Sequence, residues 1–207
     1  MHDVDAVLDR VIHAEEPSSD GRRARSQMSR SKIVRATMEL LVDGDSNPSI
    51  ANIAKQAGVG LRSVFRHFED KDAIFRAIDK ILMDAYRPIL QAPFVSDVWT
   101  EQLMELIERR CQVNEVTSPY RVATTAARRR SKFLKENYRR LYAEEKRQLN
   151  SLLPEHAQTD TATGRAILVA TSFDTWRFLT QDEEISSQAV VDAIKQLVND
   201  IIKRIAQ

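Results

Sequence analysis

Apolar residues recur along this chain every three or four positions, the period of an amphipathic helix, and no segment is a credible strand. The pattern is sharpest from Pro48 to Lys71. Ile50, Ile53, Ala54 and Ala57 share one helical face, with Ser49 in the N-cap position before them. Gly58 stands where a helix ends in a left-handed residue, and Leu61, Val64, Phe65 and Phe68 then repeat the spacing. Two short amphipathic helices on a tight glycine turn must cross steeply, burying Ile53, Ala54, Val59 and Val64 between them. Leu61, Arg62, Ser63, Arg66 and His67 keep part of their surface outward. Spacing alone leaves two readings at equal weight: a structural corner in an all-α protein, or a helix–turn–helix that enters a DNA groove.

The same period predicts the other helices. The first spans residues 26–42, with Ile33, Thr37, Leu40 and Leu41 inward, and a loop rich in Asp, Gly and Asn follows. A helix opening near Lys71 buries Ile74, Ile78, Ile81, Leu82 and Ala85 and is expected to stop near Arg87, ahead of Pro88. Further helices are expected over 96–115, from Ser118-Pro119 onward, over 131–152, over 161–181 and over 186–206, with a loop at 154–159. The last helix carries about two apolar residues per turn, wider than one packing face needs. Deep burial in one chain, or packing on both its own subunit and a partner, explains that width equally well. Residues 1–25 read as a flexible N-terminal extension ending in a basic run, Arg22-Arg23-Ala24-Arg25. That run is either an arm along DNA or a solvated linker.

Composition narrows the class. A chain of 207 residues holds one large or two modest domains. The single Cys111 excludes an internal disulfide framework and fits a reducing compartment. No apolar run approaches the roughly 18 residues of a membrane span, and the acidic N-terminus lacks a signal-peptide pattern, so a cytoplasmic location is expected. The net charge of +1 is uneven. Residues 1–20 have one Lys/Arg against six Asp/Glu, net −5; residues 21–76 have eleven against six, net +5; residues 77–207 have nineteen against eighteen, net +1. Positive charge thus gathers on the helix–turn–helix segment, as phosphate binding requires.

No catalytic constellation is present. His2, His13, His67 and His156 lie in different segments without metal-ligand spacing, and no glycine-rich loop follows a strand. Glu144-Glu145 and Asp182-Glu183-Glu184 read as solvated helix ends. The chain is therefore expected to be no enzyme and to hold no metal or cofactor. A helical dimeric interaction protein remains the other non-enzyme class.

The run AxxAGVGxRSVFRHFxDKD decides between the readings. It resembles the DNA-binding signature of the TetR family of bacterial transcriptional regulators, through Ile53-Ala54, Ala57-Gly58-Val59, Ser63-Val64-Phe65, Phe68 and Lys71, over roughly Arg30 to Ile78. The resemblance implies an all-α chain: a three-helix helix–turn–helix domain at 26–78, then a helical effector-binding and dimerisation domain at 79–207. It implies a homodimeric regulator, in most cases a repressor released from a palindromic DNA operator by a small-molecule effector, although activators occur. Ser49, Ser63 and Lys71 match positions that touch DNA in the family. By geometry Leu61 and Arg62 face base edges, with Arg62 suited to a bidentate guanine contact. Phe65, Arg66 and His67 complete the expected DNA-binding set. Two positions depart from the pattern: Gly60 removes a hydroxyl, and Phe65 replaces a tyrosine, losing a phosphate contact while keeping its packing.

An effector pocket is expected in the second domain, with Met83, Tyr86, Leu103, Ile107, Cys111, Tyr120, Phe173 and Trp176 as wall candidates, although plain core is the weightier role for each. The run Arg128-Arg129-Arg130 is either an attraction for an anionic effector or a solvated stretch. The resemblance also implies a four-helix dimer interface from the last two long helices, joined through SFDTWRFLTQDEEIS. Trp176, Val190, Ile194, Leu197, Val198 and Ile201 are its candidates.

Overall fold

The computed structural model describes residues 21–205, and among them every regular element is helical. The helices are α1 (Gly21–Val42), α2 (Ile50–Gln56), α3 (Leu61–His67), α4 (Lys71–Gln91), α5 (Trp99–Ala127), α6 (Lys132–Leu152), α7 (Ala162–Ala170), α8 (Phe173–Arg177) and α9 (Ser187–Ile205). A 3-10 turn, Glu155–Ala157, precedes α7, and a π turn, Phe178–Asp182, extends α8. The chain packs as two units. Among the described residues, one comprises those up to Tyr86 with Val116–Tyr138, and the other comprises Arg87–Glu115 with those from Arg139 onward.

The first unit is built on α1. Ile33, Met38 and Leu41 are fully buried on its inner face, and Thr37 satisfies its hydroxyl by donating to the Ile33 carbonyl at 2.8 Å. Against this face pack α2 and α3, through Ile53 and Val64, both with no exposed surface. Ile74, Phe75 and Ile78 of α4 fill the same unit. Ser131 opens α6 by accepting from the Leu134 amide at 3.0 Å and donating to Asp72 at 2.7 Å. The other Asp72 oxygen accepts from the Phe133 amide at 3.2 Å. One carboxylate at the start of α4 thereby caps the start of α6.

In the second unit, Leu103, Leu106, Ile107, Leu149, Ile167, Trp176, Val190, Ile194 and Val198 form one apolar cluster. Helix α7 begins at Thr161, whose hydroxyl accepts from the Gly164 amide at 3.0 Å. Gly164 has to be glycine, because a Cβ there would run into the Gln158 carbonyl.

Four expected boundaries change. Helix α1 starts at Gly21 rather than Ser26, since the Arg and Ala between them favour helix and nothing breaks it. Pro88 does not end α4, which continues to Gln91. Pro119 likewise lies inside α5, so 96–115 and the segment from Ser118 are one helix. In both cases the residue whose carbonyl loses its amide partner, Asp84 or Glu115, is exposed, where solvation can offset the missing bond. The single helix expected over 161–181 is broken. Thr171 donates to the Ile167 carbonyl at 2.9 Å, and Ser172 caps a new start by accepting from the Thr175 amide at 3.2 Å. The loop expected at 154–159 contains the 3-10 turn.

Candidate nucleic-acid interface

The helix–turn–helix is α2, the turn Ala57–Gly60 and α3. Ser49 caps α2, its hydroxyl accepting from the Asn52 amide at 3.0 Å. The helix ends in a Schellman motif: Val59 donates to the Ala54 carbonyl at 3.0 Å, and Gly58 to the Lys55 carbonyl at 3.2 Å. This closure needs a left-handed residue, and Gly58 has φ +62°. Helix α3 is held by Val64 at its centre and by Phe68 just beyond its end, both buried. Arg30 of α1 braces that end. Its guanidinium lies 4.4 Å from the Phe68 ring centroid and donates to the His67 carbonyl at 3.3 Å. Spacing gave no sign of this role, which depends on α1 crossing beneath α3.

With Val64 inward, the opposite face of α3 presents Leu61, Arg62, Phe65 and Arg66, all exposed. Arg62 makes no hydrogen bond or ion pair with any described residue, so its guanidinium is available. Arg66 donates to the Ser63 hydroxyl at 3.0 Å. Ser49 is exposed as well. The packing expected for Phe65 is corrected: its side chain is 55% exposed and outside the core, because the i+4 step from Leu61 keeps both on the outer face.

Two candidates are placed differently from this face. His67 is half-buried, with Nε2 enclosed and without a hydrogen-bond partner among the described residues. Burial, followed by the charges of Arg66 and Arg30, pulls its imidazole below the ordinary 6.5. Lys71, at the start of α4, donates to Asn47 Oδ1 and to the Pro48 carbonyl, tying down the loop before α2. Partial burial lowers its pKa from the usual lysine value, with Asp45 and Asp72 pulling the other way.

The eight pocket candidates divide between the units. Met83, Tyr86 and Tyr120 fall in the first; Leu103, Ile107, Cys111, Phe173 and Trp176 fall in the second. Leu103, Ile107, Cys111 and Trp176 are core residues, and Phe173 stacks on Trp176 at 5.8 Å. Burial pushes the Cys111 thiol up to about 11, consistent with an inert packing role. The Tyr120 hydroxyl is buried without a hydrogen-bond partner among the described residues, and burial raises it strongly. A cavity of about 290 Å³ in the second unit has a different lining: Leu90, Ala92, Phe94 and Leu106 on the apolar side, and Gln91, Glu144, Gln148 and Ser151 on the polar side. None of the eight candidates lines it, which corrects the expectation; of those in this unit, Leu103, Ile107, Cys111 and Trp176 are in the core and Phe173 packs against it. In the arginine run, Arg128 stacks 3.9 Å from the Tyr138 ring centroid, while Arg129 and Arg130 are exposed.

The dimer candidates separate too. Trp176, Val190, Ile194 and Val198 are buried in the chain's own second unit, so they are not available to a partner in this packing. Ile201 is partly buried, and Leu197 is 48% exposed. Val169 on α7 and Phe178 in the π turn are also exposed, at 65% and 48%. No group of three or more His, Cys, Asp or Glu among the described residues is placed to hold a metal ion. No helix among them is long and apolar enough to cross a membrane.

Residues 33–78 match the family model described as bacterial regulatory proteins, tetR family. No curated protein and no solved structure shows significant similarity to the chain.

Proposed function

Since the chain is, through residues 33–78, a member of the tetR family of bacterial regulatory proteins, a DNA-binding transcriptional regulator, we propose that it is a homodimeric repressor released from a palindromic operator by a small-molecule effector. DNA reading belongs to residues 26–78, and effector binding and dimerisation to 79–207. The observation that carries the DNA-binding part is the outer face of α3, where Arg62 has no hydrogen-bonding or ion-pair partner among the described residues and stands beside the exposed Leu61, Phe65 and Arg66. Arg62 takes the base-reading role, bidentate to guanine O6 and N7. Ser49, Ser63, Arg66 and Lys71 supply phosphate contacts that set register. His67 contributes through its position at the end of α3.

The cavity between Phe94 and Gln148 is the candidate effector site. Its volume suits a small molecule with an apolar body and a hydrogen-bonding end. Effector binding weakens operator affinity, and operator binding weakens effector affinity by the same factor, because the coupling free energy is shared.

The test is titration of the dimer against DNA that it selects from randomised duplexes. The expected outcome is sequence-selective binding whose logarithm falls linearly with the logarithm of salt concentration. Promoter activity should rise when the protein is removed. Weak, unselective and salt-insensitive binding would instead favour a helical interaction protein. A fall in promoter activity on removal would make the protein an activator.

A further inference from the structure

The outer face of α3 carries two large apolar side chains. Leu61 is 49% exposed and Phe65 is 55% exposed. Single exposed apolar residues are ordinary on protein surfaces. These two are one helical turn apart on the same face, with Arg62 and Arg66 next to them and no acidic residue in α3. Neither side chain has a hydrogen-bonding group. When α3 enters a major groove, both must meet base edges or sugars. Covering a polar base edge with a phenyl ring removes its water and returns no hydrogen bond, which is costly. Among the four bases only thymine presents an apolar group in the major groove, its C5 methyl.

Resting on the DNA-binding reading above, we infer that Leu61 and Phe65 determine operator specificity by packing against the C5 methyl groups of two thymines in each half-site. The charge around the pair favours DNA over an apolar protein partner, since Arg62 and Arg66 match the flanking guanine and phosphate groups. Four residues of helix rise about 6 Å, close to two base-pair steps of about 3.4 Å. The two methyls therefore lie within about three base pairs of each other, on either strand. Arg62, one residue from Leu61, places its guanine beside them. The phenol-to-phenyl difference at Phe65 then changes what this position recognises: a directional contact to phosphate is replaced by an apolar contact to a base.

The full-length protein and randomised duplex DNA provide the test. The consensus it selects is resynthesised with deoxyuridine in place of each thymine in turn, which removes the methyl and keeps the pairing. Two thymines per half-site should be sensitive. Each should lose about fourfold in affinity with its methyl, the equivalent of the ~0.8 kcal/mol contributed by one buried methylene-sized group. Phe65→Ala should erase the sensitivity at one of the two positions, and Leu61→Ala at the other. Both residues are exposed, so neither variant removes a core contact. Equal binding of thymine and uracil duplexes at every position, by a protein that still selects a consensus, overturns the inference and leaves DNA binding standing. Uracil sensitivity that persists in both alanine variants overturns the assignment to these residues. Selection of no sequence at all overturns DNA reading itself.

Discussion

Arg62 and Lys71 are both cations of the helix–turn–helix, but their surroundings give them different work. Arg62 makes no hydrogen bond or ion pair with any described residue, whereas Lys71 ties Asn47 and Pro48 to the start of α4. Arg62→Ala should leave the unfolding free energy within about 0.5 kcal/mol of the original. It should lower operator affinity by about 1–3 kcal/mol and relax preference at one base pair per half-site. Lys71→Ala should weaken binding evenly across sequences, reduce the salt slope and also lower the denaturation midpoint. Paired DNA and denaturant titrations of both variants check this, and an unchanged preference in Arg62→Ala would remove it from base reading. His67 adds a pH signature. Its folded-state imidazole titrates below 6.5, so just below that pH the unfolded chain takes up a proton that the folded chain refuses. Stability should therefore fall as pH drops below 6.5, and this component should be flat above it. In His67→Gln the slope over that interval should be smaller. Denaturant midpoints across the interval give the comparison, and identical slopes in the two proteins would contradict it.

Within the elements, two glycines are irreplaceable for different reasons. Gly58 is required by backbone angle: its φ of +62° closes the Schellman turn, and a Cβ there meets nothing within 4 Å. Gly58→Ala should cost about 1–2 kcal/mol, the penalty of a left-handed residue with a side chain. Gly164 is required by space, since its Cβ would meet the backbone of Gln158, which has no rotamer by which to yield. Gly164→Ala should cost about 1–3 kcal/mol through overpacking. Both should shift the denaturant midpoint without changing the slope. Gly58→Ala should also reduce DNA affinity, because the turn aims α3, whereas Gly164→Ala should leave the local geometry of α3 intact. A Gly58→Ala protein of unchanged midpoint would show that the turn relaxes to another conformation.

At the scale of the whole molecule, the proposed dimer raises the question of which part of α9 would face a second copy. On the dimer reading, the wide apolar stripe has two functions that sequence alone does not separate. Val190, Ile194 and Val198 complete the chain's own core, while Leu197 remains outside with Val169 and Phe178. The dimer reading therefore assigns the partner contact to the latter group. Leu197→Glu should give a folded monomer with native helix content. Ile194→Glu should unfold the second unit instead, because it buries an unpaired charge inside the chain. Sedimentation with circular dichroism distinguishes the two. A wild-type protein that sediments as a monomer at micromolar concentration would refute the dimer, and a Leu197→Glu protein that remains dimeric would place the interface elsewhere.

Local physics settled much of this in the sequence alone. The spacing of Ile53, Ala54, Val64 and Phe68, the cap at Ser49 and the turn at Gly58 depend on residues within one or two helical turns, and each has the placement its pattern predicts. The family match at 33–78 rests on the same compact set. Helix ends were less legible. Pro88, Pro119 and Ser172 act according to whether a carbonyl four residues earlier reaches water or a side chain caps a new start, and exposure is a property of the folded chain. Least legible was the division of apolar residues between core, cavity and surface. Leu103, Leu106 and Ile107 all belong to the core and lie within two turns of α5, but only Leu106 also borders the cavity. Likewise Phe65 and Phe68 are alike in sequence, but the second is covered by the Arg30 guanidinium and the first stays exposed. Periodicity specifies which residues share a face; only the tertiary structure decides what that face touches.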